Sequence, residues 1–160
     1  MFDVPGFVAL AERMSVHDQH AAPDARAPAV TSRGLVLDPA ALRRAVDAAT
    51  AGRSGPALTR ARERALSDYV NGAAAQLPPV RWMRVHDAPP VLAARTDRYH
   101  DPADVAARWA VALRAAPPAA DRLPGAMSAQ GSTPIGILRI WYLTDPNAYL
   151  TYWRQRRGER

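Results

Sequence analysis

The stretch Ile135-Gly136-Ile137-Leu138-Arg139-Ile140-Trp141-Tyr142-Leu143-Thr144, followed at once by Asp145-Pro146, decides the fold class. Branched and aromatic residues crowd these ten positions, which is the composition of a strand. The Asp-Pro pair then marks a helix start. An aspartate can accept a hydrogen bond from an unpaired amide of the first turn, and a proline at the first helical position loses nothing, since its amide would be unpaired anyway.

The same pair occurs at Asp38-Pro39 and Asp101-Pro102. The first predicts a helix from Pro39 to Ala51, with Leu42, Ala45, Val46 and Ala49 on one face and Gly52 as its stop. The second predicts a helix from Asp101 to Ala116 that carries Val105, Trp109, Ala112 and Leu113 and ends before Pro117-Pro118. Asp104 adds a second carboxylate where the helix dipole favours it. The third predicts a helix from Pro146 to Arg157. A longer helix is expected from Pro56 to Ala75, with Leu58, Ala61, Ala65, Leu66, Tyr69 and Val70 as its apolar stripe and Asn71-Gly72 as an earlier stopping point. A short helix is expected over Pro5 to Met14.

Besides Ile135 to Thr144, Val80 to His86 reads as a strand, and Leu35 to Leu37 and Val91 to Arg95 are weaker strand candidates. Segments 17–32 and 119–133 read as irregular loops, the second because it holds Pro124-Gly125 and Gly131. There is no internal repeat and no heptad series. The expectation is an α+β fold: a single helix-rich domain over residues 1–160 with a small sheet of two to four strands.

Hydrophobic residues make up 48% of the chain and charged residues 22%, values that place it among globular rather than disordered sequences. With no cysteine there are no disulfides, no thiolate nucleophile and no zinc–thiolate centre. The first residues lack the basic start and long apolar run of a signal peptide. The most apolar segment, Ile135 to Leu143, is about half the roughly 20 residues that a membrane span needs. A soluble, cytoplasmic protein without a membrane span is expected.

The net charge is +6, and every one of the 21 basic residues is an arginine. Two readings stand. A GC-rich, bacterial-like coding sequence enriches Ala, Arg and Pro together. Alternatively, an arginine-rich surface serves phosphate or carboxylate partners, which the guanidinium fork binds in bidentate fashion.

The C-terminal segment is the most unusual. On a helix, Tyr149 and Trp153 share a face, Arg154 and Arg157 are three apart, and Tyr152 and Arg156 are four apart, so aromatic and basic stripes adjoin. Such a surface can stack bases and hold phosphates, or dock an acidic groove on a partner protein. The bland alternative has Tyr149, Leu150 and Trp153 pinning the helix to the sheet while the arginines complement its C-terminal dipole. A second basic group, Arg60, Arg62 and Arg64 with Arg53 before it, lies on the long helix. There, Arg64 and Asp68 have the spacing of an ordinary ion pair, and a solvated helix face is the simpler account. If Arg60 and Arg64 met the C-terminal arginines, they would form one patch for a polyanion.

Three of the four histidines precede an aspartate, as His17-Asp18, His86-Asp87 and His100-Asp101. His86 and Asp87 follow a strand, where acid–base residues often sit, and with His100 they are the candidates for catalysis. No nucleophile stands out beyond Ser128, Ser132 and Thr133. His17 and His20 have a spacing that can chelate zinc, yet no companion cluster accompanies them. No phosphate-loop, dinucleotide or nucleophile-elbow motif occurs, so no metal and no cofactor is expected.

The leading expectation is a non-enzymatic binding or accessory protein. It contacts a protein partner, or a second copy of itself, through a basic aromatic surface near the C-terminal helix. The alternatives are a nucleic-acid-binding protein that uses an arginine patch and a small enzyme with a histidine–carboxylate site.

Overall fold

The computed structural model describes residues 34–158. The helix expected over Pro5 to Met14, the loop 17–32, and His17 and His20 lie outside them. Chain order runs α1 (Pro39–Thr50), α2 (Gly55–Ala73), β1 (Trp82–Asp87), β2 (Pro90–Arg95), α3 (Pro102–Ala112), β3 (Ala119–Ala120), β4 (Ala126–Thr133), β5 (Gly136–Leu143) and α4 (Pro146–Gly158).

All three Asp-Pro starts form as expected. Asp38 accepts from the Ala40 amide at 2.9 Å, Asp101 from the Asp104 amide at 3.0 Å and Asp145 from the Ala148 amide at 3.0 Å. Helix α2 does not stop at Asn71-Gly72. The Asn71 side chain instead reaches out of the helix, donating to the Val80 carbonyl at 2.8 Å and accepting from the Val80 amide at 3.1 Å. Ser67 holds Trp82 in the same two-way fashion, so the end of α2 and the entry to β1 are stitched together. Helix α3 ends at Ala112, before the expected Ala116, as Arg114 turns into the left-handed region at φ 52°.

The fold is α+β, but among the described residues the sheet has five strands rather than two to four, in the order β1-β2-β5-β4-β3. Every neighbouring pair is antiparallel except β2 and β5, which run parallel at the centre. The extra strands lie in segment 119–133, expected to be irregular. Ala126–Thr133 is poor in branched residues, yet it pairs with β5 along its whole length, from Ala126 opposite Leu143 to Thr133 opposite Gly136. Cross-strand pairing here overrides a weak local preference. In the opposite sense, Leu35 to Leu37 is not a strand. The Leu35 amide bonds the Ala112 carbonyl at the end of α3 at 3.1 Å, and Leu37 is buried in the core.

Alternation along the strands gives the sheet two unlike faces. One carries Trp82, Leu92, Ala94, Leu138, Ile140 and Ala129 against Leu66 and Val70 of α2 and Val105, Ala106 and Trp109 of α3. Its centre is an edge-to-face contact of Trp82 and Trp109, 5.3 Å between ring centroids, with the Trp109 indole N–H donating to the Pro78 carbonyl at 3.0 Å. The opposite face has a smaller cluster of Ala93, Ala126, Trp141 and Tyr149, and α4 covers it. Gly125 is fixed here by sterics as well as by its φ of +74°: a Cβ would run into the Asp145 carbonyl, where α4 begins.

Candidate binding surfaces

Helices α1 and α2 form an antiparallel hairpin clamped at its open end by Tyr69. The Tyr69 hydroxyl donates to the Asp38 carbonyl at 3.0 Å and accepts from the Asp38 amide at 2.8 Å. Along the hairpin runs a groove of about 620 Å³, lined by Ala45 and Ala49 of α1, Ala57, Ala61 and Ala65 of α2, and Arg53, Arg60, Arg64, Asp68 and Tyr69. The repeat of four residues between alanines keeps the lining shallow on both helices.

Arg53, Arg60 and Arg64 are all exposed, and among the described residues none makes an ion pair. The pair expected between Arg64 and Asp68 does not form. A cation placed N-terminal to its anion has the weaker of the two helical orientations, since it runs against the helix dipole. Glu63 turns instead to Arg81 of the segment entering β1, at 2.8 Å. Sequence reading placed Arg53 just before the helix that carries Arg60 and Arg64, and the groove joins the three. It did not see that α1 supplies the opposite wall.

Helix α4 divides its aromatics. Tyr149 is buried, with its ring centroid 6.0 Å from Trp141 and 6.2 Å from Trp153. Trp153 and Tyr152 are half-buried. Arg156 lies 5.7 Å from the Tyr152 ring centroid and donates to its hydroxyl at 2.9 Å. Arg154, Arg156 and Arg157 are exposed, and no carboxylate among the described residues pairs with Arg154 or Arg156. Among the described residues the buried Tyr149 hydroxyl and Trp153 indole N–H make no hydrogen bond of good geometry. Burial pushes the Tyr149 hydroxyl above the usual tyrosine range, outweighing the neighbouring Trp153 indole and the Arg95 charge.

The two basic groups do not meet. Helix α2 packs on one face of the sheet and α4 on the other, so Arg60 and Arg64 are separated by the sheet from Arg154, Arg156 and Arg157.

Nor do the two described histidines, His86 and His100, come together. His86 is tied into the β1–β2 turn, its Nδ1 3.2 Å from the Ala88 amide and 3.0 Å from the Pro89 carbonyl oxygen. Asp87 is exposed and paired with Arg84 at 3.5 Å. His100 is exposed beyond the far end of β2, a six-residue strand that spans about 20 Å. Thr133 Oγ1 is spent on the Gly136 carbonyl at 2.7 Å. Among the described residues no group of three or more His, Cys, Asp or Glu could hold a metal ion, and no helix is long and apolar enough to cross a membrane.

One polar arrangement escaped the sequence reading. On the face under α4, Arg139 pairs with Asp121 and Arg95 with Asp97, while the Arg95 guanidinium sits 5.0 Å from the Trp141 ring centroid. Asp97 also accepts from the Leu143 amide at 2.8 Å. Burial alone would raise the Asp121 carboxyl. The hydrogen bonds from Arg139 and Ser128, the Arg139 charge and the Leu123 amide together hold it below its ordinary value. Arg139, a charge inside the most apolar strand, is the one signal that pointed here.

Comparison with protein-family models, with curated proteins and with solved structures finds no match to this chain.

Proposed function

We propose that this chain is a non-enzymatic binding protein that engages an acidic surface of a partner protein, with the α1–α2 groove as its main contact and the Tyr152–Arg156 side of α4 as a second. The observation that carries this reading is the trio Arg53, Arg60 and Arg64. Three exposed guanidinium groups without a described carboxylate stand around an apolar alanine floor. Arginine favours carboxylates through paired, charge-assisted hydrogen bonds and is enriched where binding energy concentrates.

The nucleic-acid alternative is weaker, because arginine groups on opposite faces of a sheet do not make one track along a phosphate backbone. The enzyme alternative lacks comparable geometric support, since His86 is engaged in its own turn and His100 is remote from it.

Affinity capture from the native host tests the reading. The full chain is compared with an Arg53→Ala/Arg60→Ala/Arg64→Ala variant and with an Arg154→Ala/Arg156→Ala variant. A protein retained by the full chain and lost with the first variant, while both variants stay folded, is the expected outcome. A short labelled DNA or RNA strand held more tightly than any protein, with steep salt dependence, would overturn it.

A further inference from the structure

The geometry points to an acidic amphipathic helix, about three turns long, as the segment of the partner that lies in the α1–α2 groove. This inference rests on the binding reading above and adds the chemistry and conformation of what is bound. Three observations lead to it.

The first is the floor. Ala45 and Ala49 face Ala57, Ala61 and Ala65, so the floor offers methyl groups and no side-chain donor or acceptor. The backbone amides and carbonyls beneath are already paired inside α1 and α2. An extended peptide laid there would leave its own backbone groups unpaired at the floor, at a cost comparable to lost hydrogen bonds. A helix brings its backbone already satisfied and presents only side chains. Alanines at four-residue intervals also leave the shallow channel into which side-chain ridges of a third helix pack.

The second observation is length. From Ala57 to Asp68 the groove follows α2 for about three turns, roughly 16 Å at 1.5 Å per residue, which matches a docked helix of about eleven residues.

The third is charge. Arg60 and Arg64 are one turn apart on α2, and Arg53 stands near the hairpin connection, opposed among the described lining residues only by Asp68. Carboxylates one turn apart on the flank of the incoming helix would match the Arg60–Arg64 spacing. The same charges argue against a second copy of this chain, because a symmetric pairing would press two sets of three guanidinium groups together.

The probe is a hydrocarbon-stapled, fluorescently labelled peptide of about three turns. It carries a leucine stripe flanked by glutamates one turn apart, and its binding to the full chain is read by fluorescence anisotropy. Saturable binding is expected, with affinity at least about tenfold weaker for the Arg53→Glu/Arg60→Glu/Arg64→Glu variant, a difference of about 1.4 kcal/mol. A similar loss is expected for Ala61→Leu, which fills the floor without touching charge, and for a peptide with glutamine in place of glutamate. Amide chemical-shift changes should map to α1 and α2.

Equal affinity for an unstapled, proline-interrupted peptide of the same composition would overturn the helical inference while leaving the acidic-partner reading intact. So would no detectable binding of the stapled peptide, in which case the capture experiment alone judges that reading. Two further results would overturn the inference by naming a different occupant. One is a dimer by sedimentation velocity that the charge-reversal variant dissolves. The other is tighter, groove-dependent binding to phosphatidylserine vesicles than to the peptide.

Discussion

The two faces of the sheet use the same device to different depth. Each sets an aromatic on a strand against one on a covering helix: Trp82 against Trp109 on the face under α2 and α3, and Trp141 against Tyr149 on the face under α4. The first pair is surrounded by a broad apolar cluster, and the helix tryptophan has its indole N–H satisfied by Pro78. The second sits in a small cluster edged by two ion pairs, and two buried polar groups of its helix, the Tyr149 hydroxyl and the Trp153 N–H, make no well-formed hydrogen bond among the described residues. The first face also leaves one such group, the Trp82 N–H, but spreads its cost over far more buried apolar surface. The contrast separates the part of the molecule that makes it fold from a helix attached to it at lower gain.

The contrast breaks most visibly at the tryptophans. Trp109→Ala should cost about 3–5 kcal/mol, because the ring is fully buried and its loss leaves a large cavity. Trp153→Ala, at a half-buried site, should cost roughly 1–2 kcal/mol by the apolar area it covers. Urea denaturation of both variants checks the difference, and equal losses would show that α4 is as much a part of the core as α3.

Next in size is the ion pair beneath α4. Asp121→Asn should destabilise by about 1–3 kcal/mol at neutral pH, as it weakens a hydrogen bond to a charged group whose carboxylate side chain is 5% exposed. Since the folded-state value of Asp121 lies below the unfolded one, the stabilisation is present above about pH 4. It should fade as pH falls through the folded-state value. Denaturation curves of wild type and variant should therefore converge in acid.

The smallest effect has the opposite sign. Tyr149→Phe removes a buried hydroxyl that makes no well-formed hydrogen bond among the described residues, so stability should be unchanged or rise by up to about 1 kcal/mol. A raised folded-state value means that the unfolded chain ionises first, so wild type should lose stability as pH rises past about 10 and the phenylalanine variant should lose less. A loss of stability at neutral pH would reveal a partner for that hydroxyl.

Much of the fold was legible because its signals are local. The three Asp-Pro starts, the β5 run and the α2 stripe each depend on neighbours within a turn or two. What escaped depends on contacts distant in sequence. Ala126–Thr133 is a strand because β5 lies beside it, and nothing in its own residues says so. Asn71-Gly72 offered an earlier stopping point for α2, because the hydrogen bonds of Asn71 to Val80 are tertiary and leave no local pattern. At the proposed binding surface, Arg60 and Arg64 were readable as neighbours on one helix, with Arg53 just before it. The groove they border needs α1 folded back against α2, which only packing reveals. Arg139 stood out as a charge among apolar neighbours, but its partner Asp121 lies across a turn-rich segment that offered no pattern.

The parallel join of β2 to β5 has a consequence for how the chain is made. The β1–β2 and β4–β5 hairpins are each closed by a short turn and can form as soon as their residues are present. The join pairs Val91 with Ile137, so it waits until all the intervening chain has been laid down. On the ribosome, the first hairpin therefore emerges with one side of β2 uncovered and stays so until β5 arrives. The nascent chain spends that interval with an adhesive border, and its finished form hides that border at the centre of the sheet.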